Sequence, residues 1–148
     1  MSVSTDINIA GTRPSLGKLP QAVLVGAILS MIGNMIILFF GRGLGVEFML
    51  VPPTGTELEP LPFFPIVMIA SILPAVGAAL LLYILGWFTE RPYPAFWTIA
   101  VLFLLISFQG PVGAVTDSAQ TVIGLNAMHV WSALAIVGAL SALGHEDA

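Results

Sequence analysis

The sequence predicts an all-α integral membrane protein, a four-helix bundle with its N- and C-termini in the cytoplasm. Of its 148 residues, 57% are hydrophobic and only 8% are charged, whereas soluble domains carry roughly 25% charged residues. Four long apolar segments contain no charged residue at all. Each approaches the roughly 20 residues that a helix needs to cross the hydrocarbon core. Backbone groups in lipid must bond one another, so each segment is predicted to be a helix.

The domain organisation follows from where these apolar segments begin and end. A polar tail over residues 1–20 precedes a transmembrane domain over residues 21–143, and residues 144–148 form a second, short tail. The four spans are predicted at residues 21–40, 62–88, 94–109 and 119–143. The third span is short because Gly110-Pro111 is predicted to stop the helix.

The few basic residues predict the orientation of the bundle. Arg13 and Lys18 precede the first span, and Arg91 lies in the turn between the second and third. Only Arg42 lies on the opposite side. Lys and Arg concentrate in cytoplasmic loops, so three against one places both ends of the chain in the cytoplasm.

Composition and motifs exclude several classes of function. Four basic residues and a net charge of −4 cannot supply the positive surface that nucleic-acid binding requires. No span contains Asp or Glu, and no paired carboxylates, Ser/His/Asp arrangement or zinc motif occurs, so the usual proton-relay and hydrolytic sites are missing. We therefore expect no enzyme activity and no metal site.

The first span carries small and polar residues at four-residue steps, at Ala22, Gly26, Ser30 and Asn34. Residues with this spacing share one face of a helix. Membrane helices associate through close packing of small residues and through hydrogen bonds. This ridge is predicted to be a packing face inside the bundle. The loop after this span is the longest, and its residues 46–51 are apolar enough to dip into the membrane interface.

His129, in the middle of the fourth span, is the principal candidate site residue. Asn126 lies three residues before it and Ser132 three residues after, so all three project from one side of the helix. A neutral imidazole can ligate haem iron or bacteriochlorophyll magnesium through one nitrogen while a hydrogen bond holds the other. Alternatively, Asn126 and His129 bond Asn34 or Ser30 across the bundle and fix its register. His145, in the second tail, is expected to be solvated.

Four segments resemble an uncharacterised family of small bacterial four-helix membrane proteins. They are the helix exit Asn34…Gly45-Val46, the turn Thr89-Glu90-Arg91-Pro92, the helix end Leu105-Ile106-Ser107…Pro111 and the run Leu125-Asn126-Ala127-Met128-His129-Val130. The resemblance implies the same fold in a bacterial cytoplasmic (inner) membrane and draws attention to His129. It implies no substrate.

Three hypotheses for the function remain. The first is a non-enzymatic accessory or structural subunit of a larger membrane complex, with lipids and other membrane subunits as its partners and no cofactor. The second is a cofactor- or pigment-binding protein with His129 as the axial ligand of haem or bacteriochlorophyll, supported by Asn126 and Ser132. The third is a small-molecule or lipid carrier with a cavity between helices, opened by a kink at Pro74.

Overall fold

The computed structural model describes residues 12–50, 59–60, 65–114 and 118–145, and within these ranges the chain is almost wholly helical. The elements, in chain order, are α1 (Leu19–Gly43), β1 (Met49–Leu50), β2 (Glu59–Pro60), α2 (Pro65–Phe88), α3 (Pro92–Ser107), α4 (Gln109–Ala114) and α5 (Ala119–Leu143). The strands β1 and β2 pair antiparallel in the first loop. Residues 1–11, 62–64 and 146–148, predicted to lie in the tails and at the start of the second span, are outside the described residues.

Four stretches are long and apolar enough to cross a membrane: α1, α2, α5 and the combined stretch Pro92–Val112. The prediction of an all-α bundle with four candidate spans is confirmed. Local sequence explains several of the helix ends. Proline occupies the first turn of α1 and of α3, where the missing N–H has no intrahelical partner to lose. Ser118 caps α5 because its hydroxyl accepts a hydrogen bond from the Thr121 N–H at 3.3 Å.

The third helix breaks earlier than predicted. It ends at Ser107, a turn follows at Phe108, and α4 then runs through Gly110 and Pro111. Pro111 has no N–H for the Ser107 carbonyl, and its ring clashes with a carbonyl four residues back. The α3 ladder therefore stops at Ser107, while Pro111 is tolerated in the first turn of α4.

The first and last helices form the principal contact of the bundle. α1 packs on α5 and, less extensively, on α2, while α3 packs on α2 and α5. Ala22, Gly26, Ser30 and Asn34 are all buried, as the spacing predicts. A Cβ added to Gly26 would lie 3.1 Å from the Ile136 Cα, so α1 and α5 approach closely at this glycine.

The two ends of the bundle are held differently. At one end, called the terminal end, the Ser15 N–H donates to the Gly144 carbonyl at 2.8 Å, and Pro14 forms a bridge with His145. Pro14 also packs on Gly86 of α2, where a Cβ would come within 2.7 Å of its ring. The other end, called the loop end, carries the loop after α1. Residues 14, 15, 144 and 145 are therefore packed, although the sequence places them in solvated tails.

Candidate functional site

A cluster of four polar side chains joins three helices in the middle of the bundle. Ser30 and Asn34 of α1, Ser71 of α2 and Ser132 of α5 form this polar cluster. The Asn34 Nδ2 donates to Ser132 Oγ at 2.9 Å and lies 3.4 Å from Ser71 Oγ. The Ser132 hydroxyl is 3.3 Å from Asn34 Oδ1, and the Ser30 hydroxyl donates to Ser132 Oγ at 2.9 Å. The cluster therefore uses both ends of the Asn34 amide.

The polar cluster fixes the relative register of the three helices it joins. Its members are neutral, and Ser30, Asn34 and Ser71 are buried. A polar group in apolar surroundings costs free energy unless it is hydrogen-bonded, so a slip of one helix would leave several groups unpaired. Of the three predicted site residues, only Ser132 belongs to this cluster. Asn126 and His129 do not bond Asn34 or Ser30.

His129 is half-buried on α5, and one of its ring nitrogens is held by the helix itself. Nδ1 lies 2.8 Å from the carbonyl oxygen of Leu125. A carbonyl oxygen can only accept, so Nδ1 carries the proton, and in the neutral ring the lone pair is on Nε2. Within the described residues, no hydrogen bond to Nε2 is found. The ring is thus oriented by one nitrogen and has an unused acceptor at the other.

Asn126, one turn before His129, has an unpaired buried atom. Its Oδ1 is inaccessible to solvent and has no hydrogen-bond partner among the described residues. Asn126 and His129, named here the α5 polar pair, therefore present two acceptors without donors near the middle of a span. A buried acceptor of this kind calls for a donor from a ligand, a water molecule or a partner chain.

Helix α3 covers this face of α5, but it packs closely against the bundle only at the terminal end. Its buried residues are Pro92, Tyr93 and Phe96, and Trp97 donates its indole N–H to Ser141 Oγ at 3.1 Å. Beyond Phe96 the residues on the inward side are only half-buried, and the flanks are exposed. Only 11% of the most apolar stretch of this span is buried, against 22–33% in the other three.

Helical spacing places the α5 polar pair on the side of α5 that faces α3. Ser141, which accepts the Trp97 indole N–H, lies on the side of α5 that faces α3, and Val137 lies one turn before it on the same face. Steps of four, four and three residues back from Val137 lead to Ala133, His129 and Asn126, which share its face. These residues are half-buried. The α5 polar pair therefore lies at the level where the cover provided by α3 has become incomplete.

Phe48, in the loop after α1, makes a contact between helices that the sequence did not indicate. Its ring is only 1% exposed, although the apolar run 46–51 was expected to dip into the interface. Cβ atoms added to Gly41 of α1 and Gly124 of α5 would lie 2.6 and 2.7 Å from the ring. The ring thus fills a slot between the two helices that exists only because both positions are glycine. The pair of glycines, 83 positions apart, gave no local signal of this contact.

Trp131 makes a second contact that the sequence did not indicate. Its indole N–H donates to the Leu29 carbonyl of α1 at 2.9 Å. A Cβ on Gly33 would overlap the Trp131 ring. Gly33 therefore makes room for an aromatic side chain that joins α1 to α5.

At the terminal end, the structure corrects the expectation that His145 is solvated. Its ring packs edge-on against Tyr93, with 6.4 Å between ring centroids. Tyr93 Oη and His145 Nδ1 are buried, and neither has a hydrogen-bond partner in the described part of the chain. Water commonly bridges such atoms. This pair forms part of the packing that closes the terminal end.

These features define a helical protein whose four apolar spans and neutral, hydrogen-bonded interior suit a multi-pass membrane protein. Across the described residues, no group of three side chains is placed to hold a metal ion. The chain belongs to DUF6069, a family of unknown function, whose model matches residues 14–145. The resemblance seen in the sequence is thereby confirmed, and the match runs from one residue of the Pro14–His145 bridge to the other. No curated protein and no solved structure matches the chain.

Proposed function

We propose that this protein is a non-enzymatic accessory subunit of a larger membrane complex in the bacterial cytoplasmic membrane. The observation that carries the proposal is the incomplete cover of α3. A helix of a self-contained bundle buries a continuous stripe, as α2 does at three- and four-residue steps from Val67 to Gly86. In α3 the fully buried stripe ends at Phe96.

The remaining surface of α3 is apolar and broad. It exposes Val101, Leu102, Phe103, Leu105 and Ile106 on consecutive turns of the helix. Lipid tails are as apolar as these side chains, so membrane helices associate by close packing rather than by hydrophobicity. A partner helix against α3 would supply the packing that the chain itself does not provide there.

The polar cluster also supports a structural role. The polar groups of the central cluster bond one another and join three helices. The predicted orientation, with both ends in the cytoplasm, rests on Arg13, Lys18 and Arg91 against Arg42.

We do not propose a carrier, because the polar cluster joins α1, α2 and α5 across the bundle centre and Pro74 lies on the exposed side of α2.

Site-specific photo-crosslinking in native membranes tests the subunit proposal. A photoreactive phenylalanine replaces Phe103 of α3, and, as a matched control, Leu73 of α2. These two side chains are 70% and 69% exposed. We expect stoichiometric crosslinks from position 103 to one membrane protein and only lipid adducts from position 73. Lipid adducts alone at both positions would overturn the proposal.

A second candidate function has one specific observation in its favour. The Leu125 carbonyl fixes His129 Nδ1 as the protonated nitrogen, which leaves Nε2 as an available axial ligand for haem or bacteriochlorophyll. Asn126 lies on the same face and would be the supporting polar group, whereas Ser132 is engaged in the polar cluster. The absorption spectrum of protein purified from its own membranes tests this function. A Soret or near-infrared band that disappears in His129→Ala supports it, and a featureless spectrum rejects it.

A further inference from the structure

We infer that the Phe48 ring is a displaceable wedge and that the bundle opens between α1 and α5 at its loop end while its terminal end stays closed. This motion takes place within the chain and is therefore separate from the proposed subunit role. Three observations carry it: the backbone at Phe48, the slot that holds its ring, and the contrast between the two ends.

The backbone at Phe48 is strained. Its φ is +48°, and within the described residues it is the sole non-glycine residue with a positive φ. This left-handed conformation is unfavourable for a side chain as bulky as phenylalanine. The turn before it is ordered by hydrogen bonds from Val46 N–H to the Gly41 carbonyl, at 2.9 Å, and from Gly45 N–H to the Arg42 carbonyl, at 3.0 Å. The strain is therefore concentrated where the loop turns into the bundle.

Burial of the ring opposes this strain. Phe48 packs in one cluster with Leu38 of α1, Val67 of α2, and Leu125 and Met128 of α5. The free energy gained by burying one aromatic ring and the cost of a left-handed residue are of similar size. The strain therefore offsets part of the free energy gained by burial and lowers the cost of withdrawing the ring, which favours a populated alternative state.

At the terminal end, the packing of the described residues is not opposed by backbone strain of the kind found at Phe48. It is closed by the Ser15–Gly144 backbone hydrogen bond and by the Pro14–His145 bridge. The core cluster that includes Leu19, Tyr93 and Leu140 continues from this tie into the bundle. Separation of α1 from α5 therefore begins at the loop end. Withdrawal of Phe48 uncovers Leu125, the residue whose carbonyl orients His129, so the slot and the α5 polar pair share one turn of α5.

The chain contains no cysteine, so a single introduced thiol reports accessibility without background. Leu125→Cys and Ile136→Cys form a matched pair, because Leu125 packs in the Phe48 cluster, Ile136 meets Gly26 of α1, and both are less than one-tenth exposed and six or seven residues from an end of α5. Each variant is purified in lipid nanodiscs and treated with N-ethylmaleimide. The rate is normalised to the rate of the same variant unfolded in detergent.

We expect the thiol at position 125 to react at least about tenfold faster than the thiol at position 136, since local opening at the loop end costs less free energy than opening at the terminal end. Phe48→Ala, and separately Gly41→Ala, whose Cβ would meet the ring, should raise the rate at position 125 at least about tenfold more and leave the rate at position 136 unchanged. Met49→Ala, next to Phe48 but outside the slot, is the control and should change neither rate.

Equal thiol reaction rates at positions 125 and 136 in the otherwise native chain would overturn the inference. It is also overturned if Phe48→Ala and Gly41→Ala leave the rate at position 125 unchanged, or raise both rates alike. If Phe48→Ala does not fold, the comparison of the two positions and the Gly41→Ala variant still decide the question.

Discussion

The polar cluster makes a quantitative prediction about stability, which the pair Asn34 and Ser132 tests. Asn34→Ala and Ser132→Ala each remove one partner of the two contacts between these residues, at 2.9 and 3.3 Å. Both variants should lower the free energy of unfolding. The double variant should lose less than the sum of the two, because the second substitution has no remaining contact to break.

The expected coupling energy follows from the number of contacts. Measured hydrogen bonds between membrane helices contribute about 0.6 kcal/mol on average and about 1.7 kcal/mol at most. Two contacts between Asn34 and Ser132 therefore give a coupling of about 1.2 kcal/mol. This corresponds to roughly a sevenfold change in the unfolding equilibrium constant.

Reversible unfolding in bicelles, for example by steric trapping, measures the four free energies of the cycle. The matched control is a second cycle in which Asn34→Ala is combined with Ser107→Ala instead of Ser132→Ala. Within the part of the chain that the structure describes, the Ser107 hydroxyl donates to its own helix, at the Leu104 carbonyl, at 2.7 Å. Its coupling to Asn34→Ala should stay within about 0.3–0.5 kcal/mol of zero. If the Asn34–Ser132 coupling is no larger than this control value, the cluster does not hold α1 to α5.

Three more predictions concern helix contacts and helix ends. Gly33→Ala should displace the Trp131 ring and lower the free energy of unfolding by about 1–3 kcal/mol, with a shift in tryptophan emission; an unchanged spectrum and stability would contradict the contact. Pro111→Ala should restore the N–H that bonds the Ser107 carbonyl and join α3 to α4, seen as slower amide exchange over residues 108–110, whereas unchanged exchange would show that proline is not the cause of the break. Ser118→Ala should remove the N-cap of α5 and cost about 1 kcal/mol, while Ser118→Asp should retain the stability; equal losses in both would argue against capping.

The fold could be predicted from the sequence because the bilayer imposes a strong constraint. A charged side chain in the hydrocarbon core is costly, so the charge-free segments mark the spans without any knowledge of tertiary contacts. The buried ridge from Ala22 to Asn34 was likewise evident, since a four-residue period is a property of the helix alone. The break at Ser107 was misplaced by a few residues because proline acts on the carbonyl four positions before it.

The site was harder to predict, because it depends on which helices become neighbours. Spacing along α5 placed Asn126, His129 and Ser132 on one side, but the structure divides them between the face toward α3 and the cluster shared with α1. The slot for Phe48 needs Gly41 and Gly124 to meet across two helices and a backbone with positive φ. Neither condition has a signature in the local sequence.

The pairing of the first helix with the last also has a consequence for biosynthesis. Leu143 is 100 residues beyond Gly43, so at roughly 5–20 residues per second the ribosome completes α5 about 5–20 s after α1 has emerged. During that interval Ser132 of α5 has not been made. The nascent α1 therefore enters the membrane while the Asn34 amide lacks its hydrogen bonds to this serine. A chain that stops before α5 keeps only the longer contacts of Asn34 to Ser30 and Ser71, at 3.5 and 3.4 Å, and never gains the shorter one to Ser132.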